Sequence, residues 1–221
     1  MRQLLRVPSM ASDAGRTQST APRSILIYLA TTNAHKASEF QALADATGGG
    51  IRIRAVSQMP AVPEDTGTFI GNARQKARAV QALLPNTAWV LADDSGICVD
   101  FLGGAPGVES AYFAGPQHDS TANLNKLTAV MQAVPLGLRG ASFRCVLVLL
   151  GPDGREYVAE GRCDGTLRLT PVGGHGFGYD PLFEPIGHTA SYAEVDQPTK
   201  NKISHRGRAW AALAIMLSDR Q

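Results

Sequence analysis

The stretch Ser24-Ile-Leu-Ile-Tyr-Leu-Ala30, followed by Thr31-Thr32-Asn33 and then Ala34-His35-Lys36, sets the class of this chain. An apolar run of strand length stops at a polar turn, and a helix is expected from Ala34 to Ala46. Phe40, Leu43 and Ala44 would share its inner face, and Gly48-Gly49-Gly50 ends it as glycine ends helices. Ile51 to Val56 reads as the next strand, with Ile51, Ile53 and Ala55 alternating against Arg52 and Arg54. Strand, helix and strand in succession are the unit of α/β proteins.

Working outward, Pro60 to Thr66 reads as a loop and Thr68 to Leu84 as the clearest helix. Ile70, Ala73, Ala77, Val80 and Leu84 recur there at spacings of three and four. Trp89 to Ala92 is expected to be a short buried strand that ends in Asp93-Asp94. Gly103 to Gly115 is a glycine- and proline-rich loop, and Leu124, Leu127, Val130, Met131 and Val134 mark another helix. Ala141 to Leu150, Pro152-Asp153-Gly154 and Glu156 to Glu160 read as a hairpin, which Arg162 to Leu169 would extend. Gly173 to Gly178 is a second glycine loop. Arg206 to Ser218 is the last helix, with Ala209, Trp210, Leu213 and Leu217 inward. Early alternation and late hairpins predict an α/β fold, with an elongated mixed sheet, flanking helices and two lobes around a central cleft.

Composition narrows the function classes. Hydrophobic residues make up 44% of the 221 residues, an ordinary globular share. No apolar run approaches the ~20 residues of a membrane helix, so no membrane partner is expected. Residues 1–23 carry Arg2, Arg6, Arg16 and Arg23 against Asp13 alone, and are expected to be a disordered extension. Their net +3 leaves residues 24–221, expected to be one domain of two lobes, at −1 in a chain of formal charge +2. Such a body does not suit a nucleic-acid polymer, whose phosphates need many clustered cations. Cys98, Cys145 and Cys163 match no zinc spacing; reduced thiols and a cytoplasmic location are expected.

Three polar clusters could carry chemistry. Thr31 to Lys36 joins a strand to a helix, where backbone amides and Lys36 could hold an anion, although capping by Thr32 or Asn33 explains the same residues. No Gly-x4-Gly-Lys-Ser/Thr loop occurs, which disfavours an ordinary ATPase or kinase of that type. Glu64-Asp65 and Asp93-Asp94 offer hard oxygens that suit Mg²⁺, which takes one or two carboxylates and leaves its other positions to water and phosphate. Two adjacent acids after an apolar strand repel, and a cation relieves that repulsion. Late in the chain, glycines surround Phe177 and Tyr179, which could present an aromatic face to a base. His205 and Arg206 add donors at a helix start.

Together these clusters resemble the inosine triphosphate pyrophosphatase, or Ham1, family. The matching stretches are Leu29-Ala-Thr-Thr-Asn-Ala-His-Lys36, Glu64-Asp-Thr-Gly-Thr-Phe69, Asn72-Ala73 with Lys76-Ala77, and Ala92-Asp-Asp-Ser-Gly96. Gly103-Gly-Ala-Pro-Gly-Val108, Gly174 to Pro181 and Ile203-Ser-His-Arg-Gly207 complete the series in order. The resemblance implies Mg²⁺-dependent hydrolysis of ITP, dITP and XTP to monophosphate and pyrophosphate by a homodimer. It also implies roles: Glu64 and Asp94 hold the metal, Asp94 activates water, and Asp93 and Asp65 support them. Thr31, Thr32, Asn33, Ala34, His35 and Lys36 would hold the triphosphate with Ser95 and the catalytic cation Lys76. Phe177, Gly178, Tyr179, Asp180, Lys200, His205 and Arg206 would form the base pocket.

Two departures stand out. Gly71 replaces a Glu common in the family, at a helix cost of about 1 kcal/mol relative to Ala. Glu109-Ser110-Ala111-Tyr112 stands where the family usually has Tyr-Ser-Ala-Arg. The alternatives are a Maf-like nucleotide pyrophosphatase of different base preference and a nucleotide-binding sensor without catalysis. Both metal carboxylates and both lysines are retained, which argues against the sensor.

Overall fold

A computed structural model describes residues 25–48 and 50–218; the expected extension over residues 1–23 lies outside them. Strands β1 (Ile25–Leu29), β2 (Ile51–Ala55), β3 (Trp89–Val99), β4 (Gly140–Leu150), β5 (Glu156–Leu167) and β6 (Phe183–Pro185) form one sheet in the order β2-β1-β3-β4-β5-β6. The helices are α1 (Ala34–Ala46), α2 (Phe69–Gln81), α3 (Ser120–Met131), α4 (Gln197–Ile203) and α5 (His205–Ser218). β1 pairs in parallel with β2 and β3, and all later pairings are antiparallel, which is the mixed α/β sheet expected.

One expectation is corrected at the sheet centre. β3 does not end at Asp93-Asp94 but continues to Val99, because its ladder with β4 runs unbroken from Val90↔Leu150 to Val99↔Ala141. The strand that ends there is β1, whose last partner on β3 is Leu91. From Asp93 onward β3 therefore has a sheet neighbour on one side only. Further along, Ser110 and the bridge from Cys98 to Pro106 cover its free edge. The uncovered interval is a notch in the sheet, beside the C-terminal ends of two parallel strands, where α/β folds place ligands.

The core divides about this notch. On one face Ile27, Leu29, Leu91, Leu147 and Leu149 pack against Phe40 of α1 and Trp210 and Leu213 of α5. On the other, Val90, Ala92 and Val148 pack against Ala73, Ala77 and Val80 of α2, at the spacing read from the sequence. The second lobe gathers Ile97, Val99, Leu127, Met131, Phe143, Phe183 and Tyr192. Each large apolar side chain so buried contributes roughly 1.5–3 kcal/mol.

Local chemistry fixes the ends of the helices. Asn33 caps α1, Thr68 caps α2, and Asp119 caps α3, each accepting backbone N–H bonds. α5 lies so close to β5 that a Cβ on Gly161 would meet His205 O at 2.0 Å and Ala209 N at 2.4 Å. Gly161 thus lets α5 seat, and seating α5 delivers His205 and Arg206 to the notch. Three smaller expectations shift. Val130 is 41% exposed and faces solvent, Val134 lies beyond the end of α3, and β5 is continuous rather than two pieces. The short helix α4, which carries Lys200, is an element the sequence pattern did not reveal.

Candidate functional site

The notch opens into a cleft of about 430 Å³ lined from both lobes. Thr31, Thr32, Asn33, Lys36, Glu64, Lys76 and Asp93 to Gly96 form one bank. Phe177 to Asp180, Lys200, His205 and Arg206 form the other. The cleft thus brings together fifteen of the seventeen residues expected at the site. Ala34 and His35 are the exceptions: both are exposed and neither lines it. The reason is the cap. Asn33 Oδ1 takes the N–H groups of His35 and Lys36, and Thr31 Oγ1 takes that of Asn33, so these amides are already paired. His35 instead stacks on Phe177, with ring centroids 5.8 Å apart. Asp65, expected as a supporting acid, is exposed and accepts a bond from Gln75.

At the centre Lys76 Nζ lies 2.6 Å from Asp94 Oδ1 and 3.3 Å from Glu64 Oε2. α2 supplies both Lys76 and, one turn earlier, Asn72, whose Nδ2 donates to Asp94 Oδ2 at 3.3 Å. Asn72 Oδ1 in turn accepts from the amide and hydroxyl of Thr66. Gly71 is explained by the same cluster, since a Cβ there would meet Thr66 Oγ1 at 2.3 Å. Burial, with Glu64 adding, pushes Asp94 up to about 6 against the pull of Lys76. Lys76 itself is buried, which would lower its pKa, but Asp94, Asp93 and Glu64 outweigh burial and raise it.

The other side of β3 holds a second network. Lys36 Nζ donates to Asp93 Oδ1 at 2.9 Å, and Arg206 Nη2 reaches Asp93 Oδ2 at 3.4 Å and Ser95 Oγ at 3.0 Å. Arg206 Nη1 bonds Glu39, which also accepts from Lys200 Nζ at 2.9 Å, while Lys200 donates to Asp180 at 2.7 Å. Burial alone would raise Asp93, but Lys36, Arg206 and Lys76 hold it well below the carboxylate range. Glu39 is likewise lowered, as Arg206 and Lys200 overcome its burial. Asp180 is raised by burial despite Lys200. His205 is held well below its ordinary value by burial and by the charges of Arg206 and Lys200, so its ring is neutral. The ring stacks on Phe143 at 4.7 Å; His205 Nδ1 and Arg206 Nε have no partner among the described residues.

Chemically, the two ends differ. One end offers an aromatic ring, Phe177, beneath the cations of Lys200 and Arg206, at 5.3 and 5.7 Å from its centroid. The other offers two carboxylates converging on one ammonium. Across the whole site four cations meet five carboxylates, Glu39, Glu64, Asp93, Asp94 and Asp180. The carboxylates outnumber the basic side chains by one, and Asp94 and Asp180 are the two that burial raises on balance. Among the described residues no three His, Cys, Asp or Glu side chains gather as a metal cage. Glu64 and Asp94 could serve as the one or two carboxylates that Mg²⁺ takes when phosphate and water supply the other oxygens.

The chain has known relatives. The sequence profile of the Ham1 family matches residues 27–216. The chain belongs to the Ham1 family. Among its relatives, a protein from Opitutus terrae named dITP/XTP pyrophosphatase is 54% identical over 195 residues, 85% of this chain and 96% of that one. A dITP/XTP pyrophosphatase from Streptomyces avermitilis is 46% identical over 196 residues, 87% of this chain and 97% of that one. The Ham1 protein structure from Staphylococcus aureus superposes with a TM-score of 0.76 at 31% identity, covering 89% of this chain and all of that one.

Within this Ham1 chain, sequence reading passed over Glu39 and gave Asn72 no role. A signal for Glu39 existed: it sits between Lys36 and Leu43 on the inward face of α1, where an unpaired acid would not be tolerated. Its partners are 161 and 167 residues away, which no local pattern encodes.

Proposed function

We propose that this chain is a Mg²⁺-dependent pyrophosphatase that hydrolyses dITP, ITP and XTP to the monophosphate and pyrophosphate. The observation that carries this reading is Lys76 held between Asp94 and Glu64, in one cleft with the Phe177, Lys200 and Arg206 end. The relatives named dITP/XTP pyrophosphatase support the substrate class.

Glu64 and Asp94 are the residues that would hold Mg²⁺, which when bound neutralises phosphate charge and stabilises the departing pyrophosphate. Asp94, a carboxylate that burial pushes up to about 6, accepts the proton of the attacking water at Oδ1 or Oδ2. Asn72 and Lys76 orient it. Lys36 and Lys76 place fixed positive charge along the phosphates, where partial exclusion of water strengthens it. Thr31 and Thr32 add hydroxyl donors on the same bank, while the Ser95 hydroxyl donates to Asp93 and accepts from Arg206.

Phe177 stacks on the purine, and His205, Arg206 and Lys200 face its 6-position. Inosine and xanthine present an acceptor oxygen there and adenine an amine, so donors built for the oxygen are left unpaired by adenine. Such buried mismatches cost up to ~10⁴-fold in favourable cases. The homodimer rests on the family resemblance, and the cytoplasmic location on the free thiols of Cys98, Cys145 and Cys163; light scattering on the purified chain tests the first.

Incubation with dITP and Mg²⁺, followed by identification of the released anion, tests the reaction. Pyrophosphate is expected. Orthophosphate would refute cleavage at the α–β linkage, and equal turnover of ATP and dITP would refute the base preference.

A further inference from the structure

The ring of His35 is expected among the phosphates and lies instead at the aromatic end of the site. It stacks on Phe177, with centroids 5.8 Å apart and planes 22° apart. The two come from opposite banks, His35 from the first turn of α1 and Phe177 from the late glycine loop. The amide of His35 is taken by the Asn33 cap at 2.9 Å, so the ring is what this residue has left to offer. Phe177 lines the cleft and His35 does not. His35 therefore supports Phe177 from outside.

Phe177 needs such support. It stands between Gly176 and Gly178, at φ 73° and 63°, and a Cβ on Gly176 would meet Asp180 Oδ2 at 2.1 Å. No neighbour in the loop can wedge the ring. Its amide is pinned, donating to Asp180 Oδ2 at 2.8 Å, and Lys200 Nζ donates to the same oxygen at 2.7 Å. That fixes the backbone but leaves the partly buried ring to its side-chain torsions. Among the described residues, His35 carries the one aromatic ring stacked against it. Helix α1 supplies a second restraint from the same face, since His35 and Glu39 stand four residues apart. Glu39 holds Lys200 and Arg206, whose cations lie 5.3 and 5.7 Å from the Phe177 centroid. Phe40 and Leu43 anchor α1 in the core. One well-seated helix thus sets both the ring and the cations that surround Phe177.

We infer that His35 is a positioning residue for purine recognition: it holds the Phe177 ring ready for the base and takes no part in holding phosphate. This deepens the function proposed above and rests on its assignment of Phe177 to the purine. A ring oriented in advance spares the ordering that binding would otherwise require, which tightens the base by about 3- to 10-fold. The role calls for an aromatic face at position 35 and makes no use of the imidazole N–H.

Calorimetric titration of dIMP, and separately of tripolyphosphate with Mg²⁺, tells the two ends of the site apart. His35→Ala is expected to weaken dIMP by about 3- to 10-fold and to leave tripolyphosphate within about 2-fold. His35→Phe, which keeps a ring and removes the N–H, should bind dIMP as wild type does, whereas His35→Asn should behave as His35→Ala. In a Phe177→Ala background, His35→Ala should have no further effect on dIMP, because residues in contact do not act additively. His35 is exposed, so these variants keep the fold, which thermal melts check. Unchanged or tighter dIMP binding by His35→Ala, weakened tripolyphosphate, or full additivity with Phe177→Ala would each overturn the inference. Failure of the purine assignment shows separately: wild type would not bind dIMP, or Phe177→Ala would bind it unchanged.

Discussion

Asp93 and Asp94 are neighbours in the chain whose carboxylates serve opposite faces of β3. Asp93 meets Lys36 and Arg206 on the side of α1 and α5; Asp94 meets Lys76 and Asn72 on the side of α2. Alternation along a strand requires this separation. A single cleft reaches both because β1 stops short and leaves the edge of β3 open between them. Their environments drive the two acids apart, Asp93 down and Asp94 up to about 6, which is the pattern by which one site separates a fixed charge from a proton acceptor.

Asp94→Asn should therefore remain folded and lose turnover of dITP by at least ~10²-fold, as expected for a general base. Pyrophosphate release measured beside a circular dichroism melt checks this. Near-normal activity in a folded variant would remove Asp94 from the role.

Glu39→Ala should act on stability as well as on substrate selection. It leaves Lys200 and Arg206, 3% and 2% exposed, without a shared partner. Breaking a buried pair in this way costs about 3–5 kcal/mol. Urea unfolding at neutral pH reads the loss, and a change under about 1 kcal/mol would show that the cleft rehydrates these cations.

Stability should depend on pH through His205. In the unfolded chain it takes up a proton near its ordinary 6.5, whereas the folded site holds it neutral well below that. The unfolded state thus binds more protons, and stability falls as pH drops below about 6.5, by up to about 1.4 kcal/mol per unit. His205→Asn removes that contribution while leaving the opposing one of Asp94 in both proteins. The difference in unfolding free energy between wild type and variant, followed from pH 7 to 5, should change with this slope; a flat difference would contradict a neutral buried His205.

Gly71→Ala reverses the usual helix rule. Propensity alone favours Ala by about 1 kcal/mol. In this fold the new Cβ would meet Thr66 Oγ1 at 2.3 Å and Thr68 Oγ1 at 2.7 Å. The variant should be less stable than wild type in urea. It should also turn over dITP more slowly, since Thr66 holds Asn72 and Asn72 holds Asp94. A gain in stability would show that the threonines rotate away freely.

Much of this was legible in the residues. The bounds of α1, the inward face of α2 and the hairpin of β4 and β5 follow from periodicity and turn chemistry, and Glu64, Lys76, Asp94 and Arg206 stand in recognisable stretches. What periodicity could not show was which strand ends at the site. Asp93 and Asp94 look like a terminus because polar residues interrupt an apolar run, yet pairing with β4 carries the ladder through them. Glu39 shows in the pattern only as an acid on an inward face; its meaning lies in Lys200 and Arg206, brought to it only by folding. Asn33 shows the opposite case, where an ordinary cap takes the amides that the sequence pattern offers to a phosphate.

The early stop of β1 has a consequence for how this activity can be gained or lost. The opening is a property of strand length, and no side chain owns it. Substituting residues one at a time would map the donors and acids but pass over the gap that lets a nucleotide reach them. An insertion in the turn between Leu29 and Ala34, long enough for β1 to continue alongside Asp93 and Ser95, would close the opening without altering any side chain of α2, β3 or α5. In this architecture a change of two or three residues in length can do what no exchange of residues does.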